Sequence, residues 1–364
     1  MLKGKRFIGW ILLLLLSSCM QDEELWKRQH IAVDDTDRGV FVINEGNFTY
    51  QKASLSYYDI DKEKVYNDVF FITNALPLGD VAQSMIIRDS LGYICVNNSG
   101  KIYVINTNTF EYVGKITGLG SPRYMYFINE QKAYVSDLYA RSIYIINPKE
   151  LEITGSISLN NPGSPVPRHN AEQFVNYGQY VFTNAWSFDD QVLVIDTESD
   201  QLVDSIRVGI QPNSMVMDRN NYLWVLCDGG RPGNPFGHEK PVLMQIDAQK
   251  REVVNSIFFK LEDSPTELVT NASRDTLYFI NKHAFRLPVE GYSQPEIFVE
   301  SPYAGNADEG FYGMAVDPVT SEIYISDGID MVQNGYVYRY HPNGIAIDTF
   351  KVGIIPGGFC FRDN

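Results

Sequence analysis

Ala82-Gln83-Ser84-Met85-Ile86-Ile87, Pro122-Arg123-Tyr124-Met125-Tyr126-Phe127 and Pro212-Asn213-Ser214-Met215-Val216-Met217 state one phrase three times: a small or Pro-led turn, two variable residues, then a short apolar strand. The phrase returns at Ala171-Glu172-Gln173-Phe174-Val175, Pro265-Thr266-Glu267-Leu268-Val269, Phe311-Tyr312-Gly313-Met314-Ala315-Val316 and Pro356-Gly357-Gly358-Phe359-Cys360-Phe361. It recurs at roughly 40–53 residues, the period of four-stranded sheets repeated around an axis. The sequence therefore predicts an all-β fold, a seven-bladed β-propeller.

Working outward, second strands follow at Gly92 to Asn97, Ala133 to Asp137, Tyr180 to Asn184, Leu223 to Cys227, Thr276 to Asn281 and Glu322 to Asp327. Third strands include Ile102 to Asn106, Ser142 to Asn147, Gln191 to Asp196, Val242 to Asp247 and Tyr336 to Tyr340. Shorter fourth strands run Val113 to Ile116, Thr154 to Leu159, Val203 to Val208, Val254 to Phe259 and Ile345 to Phe350. Val, Ile, Tyr and Phe alternate with polar residues in these runs, and no window carries a long helical period. The sixth blade, around Asn281 to Pro288, is the least regular. Gly39-Val40-Phe41-Val42-Ile43-Asn44 reads as a second strand with no first, and Pro356 to Phe361 as a first strand with nothing after it. The two ends are expected to complete one blade between them, which removes the open sheet edges.

The N-terminus reads as a targeting segment. Lys3, Lys5 and Arg6 precede a short apolar run, Phe7 to Leu16, which is too short to span a bilayer as a mature helix. It ends at Leu16-Ser17-Ser18-Cys19, which resembles the lipobox of bacterial lipoproteins. That resemblance implies acylation of Cys19. No Asp follows Cys19 directly, and the acidic Asp22-Glu23-Glu24 resembles the surface-export signal of some Gram-negative lipoproteins. The organisation expected is a signal peptide at 1–18, a lipidated Cys and acidic tether at 19–38, and the propeller at 39–364, held at the outer membrane and exposed at the cell surface.

The formal charge is −15, and the basic residues of the signal leave with it, so the mature chain is more acidic still. Such a field repels nucleic acid and excludes it as a partner. Cys95, Cys227 and Cys360 fall on predicted strands, where small apolar packing explains them, and there is no CxxC.

In a propeller, loops joining second to third strands open on the same face as those joining each outer strand to the next inner one. Nearly all the long loops here fall in these classes: Glu45 to Ala53, Ile72 to Asp80, Leu159 to Asn170, Trp186 to Asp190, Cys227 to Lys240, Ser301 to Gly310 and Gly328 to Gly335. The other face has tight turns such as Asn106-Thr107-Asn108. Long loops on a rigid scaffold are where binding concentrates. They carry Phe48, Tyr50, Tyr139, Trp186, Phe188, Phe236, Tyr303, Phe311 and Tyr312. Such aromatics offer flat apolar platforms with polar tips. The repeat sets Gln83, Arg123, Glu172, Asn213 and Thr266 at the channel mouth. With Arg231 and His238 from the loop after Cys227, these residues, Tyr50 and Thr266 apart, make up the candidate ligand-binding set.

Catalytic signatures are sparse. The chain holds no Gly-rich phosphate loop, HExxH or GxSxG. Glu45, Asp137, Asp228 and Asp327 end second strands and are a candidate ring for a channel cation, and His169 and His238 could meet a metal or a corrin. No cofactor is expected.

Lys101-Ile102-Tyr103-Val104-Ile105-Asn106 and Ser142-Ile143-Tyr144-Ile145-Ile146-Asn147, with turns such as Asn147-Pro148-Lys149, resemble the YncE-type (YVTN) β-propeller repeat. The lipobox, the acidic cluster, Gly39 to Phe48 and Ala53 to Asp59 are similar to surface propeller lipoproteins that accompany TonB-dependent transporters. The BtuG-type cobamide-binding proteins among these capture vitamin B12 and hand it to the BtuB transporter. The resemblance implies a non-enzymatic protein with a cobamide ligand and a BtuB-like TonB-dependent partner. A propeller lactonase or hydrolase with a channel cation, and a glycan-binding adhesion protein, are the alternatives.

Overall fold

A computed structural model describes residues 31, 33, 38–50, 52–162, 167–291, 294–302 and 310–362. The signal, Cys19 and Tyr303 lie outside the described residues. Seven sheets of four antiparallel strands are present, as the repeat predicts. Numbering from the N-terminus, blade 1 holds residues 39–66 with 356–362, and blades 2 to 7 hold 82–117, 122–158, 174–207, 212–258, 266–299 and 311–354.

Blade 1 is closed by both chain ends. Gly39–Asn44 pairs with Pro356–Arg362 on one side and Ser54–Asp59 on the other, with Phe41 opposite Cys360. Each second strand is apolar on both faces because a neighbouring blade covers each of them. Gly39–Asn44, Ala133–Asp137 and Ile323–Asp327 are buried along their whole length. Ring packing joins the blades: Tyr58 of blade 1 stacks on Phe350 of blade 7 at 4.0 Å between centroids. Burying such aromatic and β-branched side chains, at about 25 cal/mol per Å² of apolar surface, is the main force holding the ring together.

Five of the inner strands share an irregularity. Register shifts fall between Ala82 and Ser84, Pro122 and Met125, Pro212 and Ser214, Thr266 and Val269, and Phe311 and Met314. These bulges coincide with the variable second and third positions of the repeat. A bulge re-aims side chains that would otherwise alternate between the faces of the sheet.

Two local expectations change. Val69–Asn74, in and just before the expected Ile72–Asp80 loop, is a six-residue helix, α1, capped by left-handed Asp68 and Ala75. Its Phe70 packs on Tyr103 at 5.0 Å, and six residues are too few to show a helical period. The sixth blade is regular: Thr276–Asn281 pairs with His283–Pro288, the chain reversing at Lys282 with φ 61°. Cys95 and Cys227 are buried thiols inside their strands.

Candidate functional site

The second positions of the repeat gather side chains at the channel mouth. Arg123 on blade 3 donates through Nε to Glu172 Oε2 of the blade 4 segment at 2.7 Å, and through Nη1 to Gln83 Oε1 of blade 2 at 2.6 Å. On the other side, Tyr312 of blade 7 donates its hydroxyl to Glu45 Oε1 at 3.1 Å. Glu45 occupies space left by a glycine: a Cβ on Gly357 would lie 2.0 Å from Glu45 Oε1. The second position of blade 1 is thus filled from a neighbouring loop.

The third positions form a belt between blades. Ser84 Oγ donates to the Arg123 carbonyl at 2.6 Å, the Met215 amide to Gln173 Oε1 at 3.1 Å, and the Leu268 amide to Ser214 Oγ at 3.0 Å. The Met314 amide donates to the Glu267 carboxyl in the same way. Gln173, Ser214 and Glu267 therefore each bond the backbone of the following blade.

The mouth is electrostatically unusual. Burial pushes the Glu45 carboxyl up to about 6, with Tyr312 and Arg123 opposing the rise. Burial, and then the negative charge of Glu45, push Glu267 to about 8 against the Met314 amide. Burial works against the Arg123 charge, and Glu172 holds the guanidinium charged nonetheless. Burial raises the Glu172 carboxyl as well, with the Arg123 guanidinium opposing the rise. Titratable groups displaced in this way concentrate at functional sites, although buried structural networks displace them too.

The rim differs in character. Phe48, Tyr50 and Tyr139 are 61, 72 and 66% exposed on the long-loop face. Asn47 Nδ2 donates to the Met331 carbonyl at 2.6 Å and fastens the Phe48 loop to blade 7. Trp186 is half-buried and donates Nε1 to Asp228 Oδ2 at 3.2 Å. Arg231 and His238 are exposed beside half-buried Phe236 on the blade 5 loop, and Phe188 is half-buried with φ 57°. That loop turns through Gly229 at φ 81°, where a Cβ would meet the Glu239 carbonyl at 2.2 Å.

Several expected residues do other work. Phe311 is buried within blade 7 against Tyr338 at 6.0 Å, because the residue opening this repeat faces the sheet core. Asn213 is used between blades, donating Nδ2 to the Pro265 carbonyl at 2.8 Å. The cation ring does not form. Asp137 accepts amides of Gly120, Ser121, Tyr139 and Ala140 at 2.7–3.1 Å. Asp228 accepts the Gly230 amide, and Asp327 the Ile329 amide and the Tyr338 hydroxyl. Among the described residues, no three of His, Cys, Asp or Glu converge to hold a metal ion. His169 is buried and bonded through Nδ1 to Asp189 Oδ2 at 2.7 Å.

Glu267 was not in the sequence-derived set, and Glu45 entered only as a cation ligand. The signal for Glu267 is a carboxylate at the third position of the repeat, beside a bulge whose existence the sequence alone does not announce.

Fold and site together define a seven-bladed propeller with a polar, internally bonded channel mouth beneath aromatic loops. The chain belongs to the family described as a domain of unknown function, DUF5074, which matches residues 38–352. No curated protein matches it. Among solved structures it is similar to a quinonprotein alcohol dehydrogenase-like protein from Bacteroides thetaiotaomicron, with TM-score 0.67 and 13% identity over 91% of this chain and 79% of that one. A protein from Lactobacillus plantarum gives TM-score 0.65 and 11% identity over 90% and 100%. A putative 6-phosphogluconolactonase from Bacteroides fragilis gives TM-score 0.62 and 11% identity over 92% and 100%. At these identities the likeness is one of fold.

Proposed function

We propose that the protein is a lipid-anchored, non-enzymatic propeller of the outer membrane that captures a nutrient on its long-loop face. The ligand is vitamin B12 or another cobamide, passed on to a BtuB-like TonB-dependent transporter. One observation carries this reading: exposed Phe48, Tyr50 and Tyr139 stand on the face of a channel mouth whose polar side chains bond one another. Such a mouth favours a broad ligand lying across it over a small one entering it. A cobamide is a wide disc with amide arms. Aromatic rings cover its apolar edge, and exposed polar groups such as Arg231 bond its amides. The lipobox and the acidic cluster after Cys19 support the anchor and its surface exposure.

Calorimetric titration with cyanocobalamin tests the ligand. We expect saturable one-to-one binding, weakened by Tyr139→Ala or Trp186→Ala. No heat and no thermal shift at high cobamide would reject B12 as the ligand, and glycan polymers would then be tried on the same face.

The displaced carboxyls of Glu45 and Glu267 favour a second reading, a hydrolase using them as an acid–base pair. It requires lactone turnover that Glu45→Gln abolishes.

A further inference from the structure

The tether is fastened to one face of the disc. Val33 donates its amide to the Asn108 carbonyl at 2.9 Å, and Asn108 lies in the tight turn between the third and fourth strands of blade 2. The Val33 side chain is 7% exposed and enters a core cluster with Phe41, Tyr57 and Phe110, and Ile31 packs against the same cluster. Arg362, at the end of the closing strand, donates to Asn108 Oδ1 and to the Tyr57 hydroxyl, which braces the seat from the channel side. The Arg38 amide donates to Asp61 in the neighbouring tight turn of blade 1. All these attachments lie on the short-turn face. Topology requires it, since a chain that begins with a second strand must begin where inner strands end.

We propose that the short-turn face is held toward the bilayer and the long-loop face is displayed outward. The proposal rests on the lipid-anchored reading, because it takes Cys19 as the point in the membrane. Eleven residues, 20–30, remain between that point and the docked Ile31. Chain geometry limits the reach of this leash to about 40 Å at full extension. Six-residue strands at about 3.3 Å per residue place the long-loop face roughly another 20 Å beyond the seat. Bringing that face down to the lipid would mean wrapping the leash round the disc. A propeller without a partner therefore samples the medium with its aromatic loops. Docking on a transporter in the same membrane requires the disc to turn over on its leash.

Blade 3 offers a ruler, with exposed Tyr139 on one face and exposed Lys149 in a tight turn on the other. Tyr139→Cys and Lys149→Cys chains would be labelled with a maleimide dye, and the unaltered chain carried through as the blank. They would then be placed on vesicles containing headgroup-nitroxide lipid. One arm uses the acylated chain. The other uses a chain with a hexahistidine tag in place of residues 1–19 on nickel-chelating lipid. We expect the dye at position 149 to be quenched severalfold more than that at 139 in both arms. Val33→Asp, which lengthens the leash, should reduce the ratio. Equal quenching, stronger quenching at 139, or a ratio that Val33→Asp leaves unchanged would overturn the proposal. Co-sedimentation of the chain with vesicles, lost in Cys19→Ala, reports separately on the anchor. If the acylated arm fails to sediment while the tagged arm keeps the asymmetry, the anchor reading falls and the assignment of faces stands.

Discussion

Glu267 shows how a scaffold contact produces an unusual carboxyl. Its side chain accepts the Met314 amide in the belt that links inner strands, at a residue whose φ is 59°. Burial and nearby Glu45 then favour the protonated form in the folded protein. The sign of the pH effect follows. Below the ordinary carboxyl value, both folded and unfolded states hold the proton, and pH has no leverage. Between the ordinary value and about 8 only the folded state holds it, so stability falls as pH rises, by at most about 1.4 kcal/mol per pH unit. Above that window the loss is complete and constant. Glu45, pushed up to about 6, adds a shorter slope of the same sign. Glu267→Gln keeps an acceptor for the Met314 amide and removes the titration. We expect its melting temperature to match wild type near pH 4.5 and to exceed it by a margin that grows up to about pH 8. A constant difference across that range, read by calorimetry, would show that Glu267 does not hold its proton on folding.

Among the elements, some strands were readable to the residue. Ala133–Asp137, Ser142–Asn147, Gln191–Asp196 and Val242–Asp247 stand where alternation and turn residues place them. The second positions Gln83, Arg123 and Glu172 do meet at the mouth, because a ring of identical phrases must superpose its equivalent residues. The third-position belt was not legible, since the bonds from Gln173, Ser214 and Glu267 to the next blade are a property of the assembled ring and not of one segment. Helix α1 was hidden by its shortness, and the cation ring failed because a carboxylate closing a strand serves the next turn first. Asp137 makes this concrete: four amides from two different loops converge on it. Removing one partner of a buried, charge-assisted bond costs about 1–3 kcal/mol, and amides sharing one acceptor do not add fully. We expect Asp137→Ala to lose about 3–5 kcal/mol in denaturant titration, with Asp137→Asn losing less because it still accepts. A loss below ~1 kcal/mol in Asp137→Ala would mean that water replaces the carboxylate and that the turn does not depend on it.

At the scale of the whole molecule, the closing strand is the element on which the ring depends. Pro356–Arg362 supplies the inner strand of blade 1, covers one edge of Gly39–Asn44, and carries Arg362 into the seat of the tether. Gly357 makes room for Glu45, and the Ser326 hydroxyl of blade 7 donates to the Pro356 carbonyl, so blade 7 is also tied to this strand. A chain ending at Ile355 would keep six complete blades and lose all of these contacts together. Each blade buries its faces only against its neighbours, so an opened ring exposes the apolar flank of blade 2 as well as the edge of Gly39–Asn44. We expect the truncated chain to lose its single cooperative thermal transition and to aggregate on warming. Residues 356–364 supplied as a separate peptide should restore part of the transition by refilling the edge. A sharp transition near the wild-type temperature without the peptide would show that six blades and a three-stranded remnant close without the C-terminal strand. In that case ring closure would not depend on Pro356–Arg362, and the loss of Arg362 would weaken the seat of the tether without opening the ring.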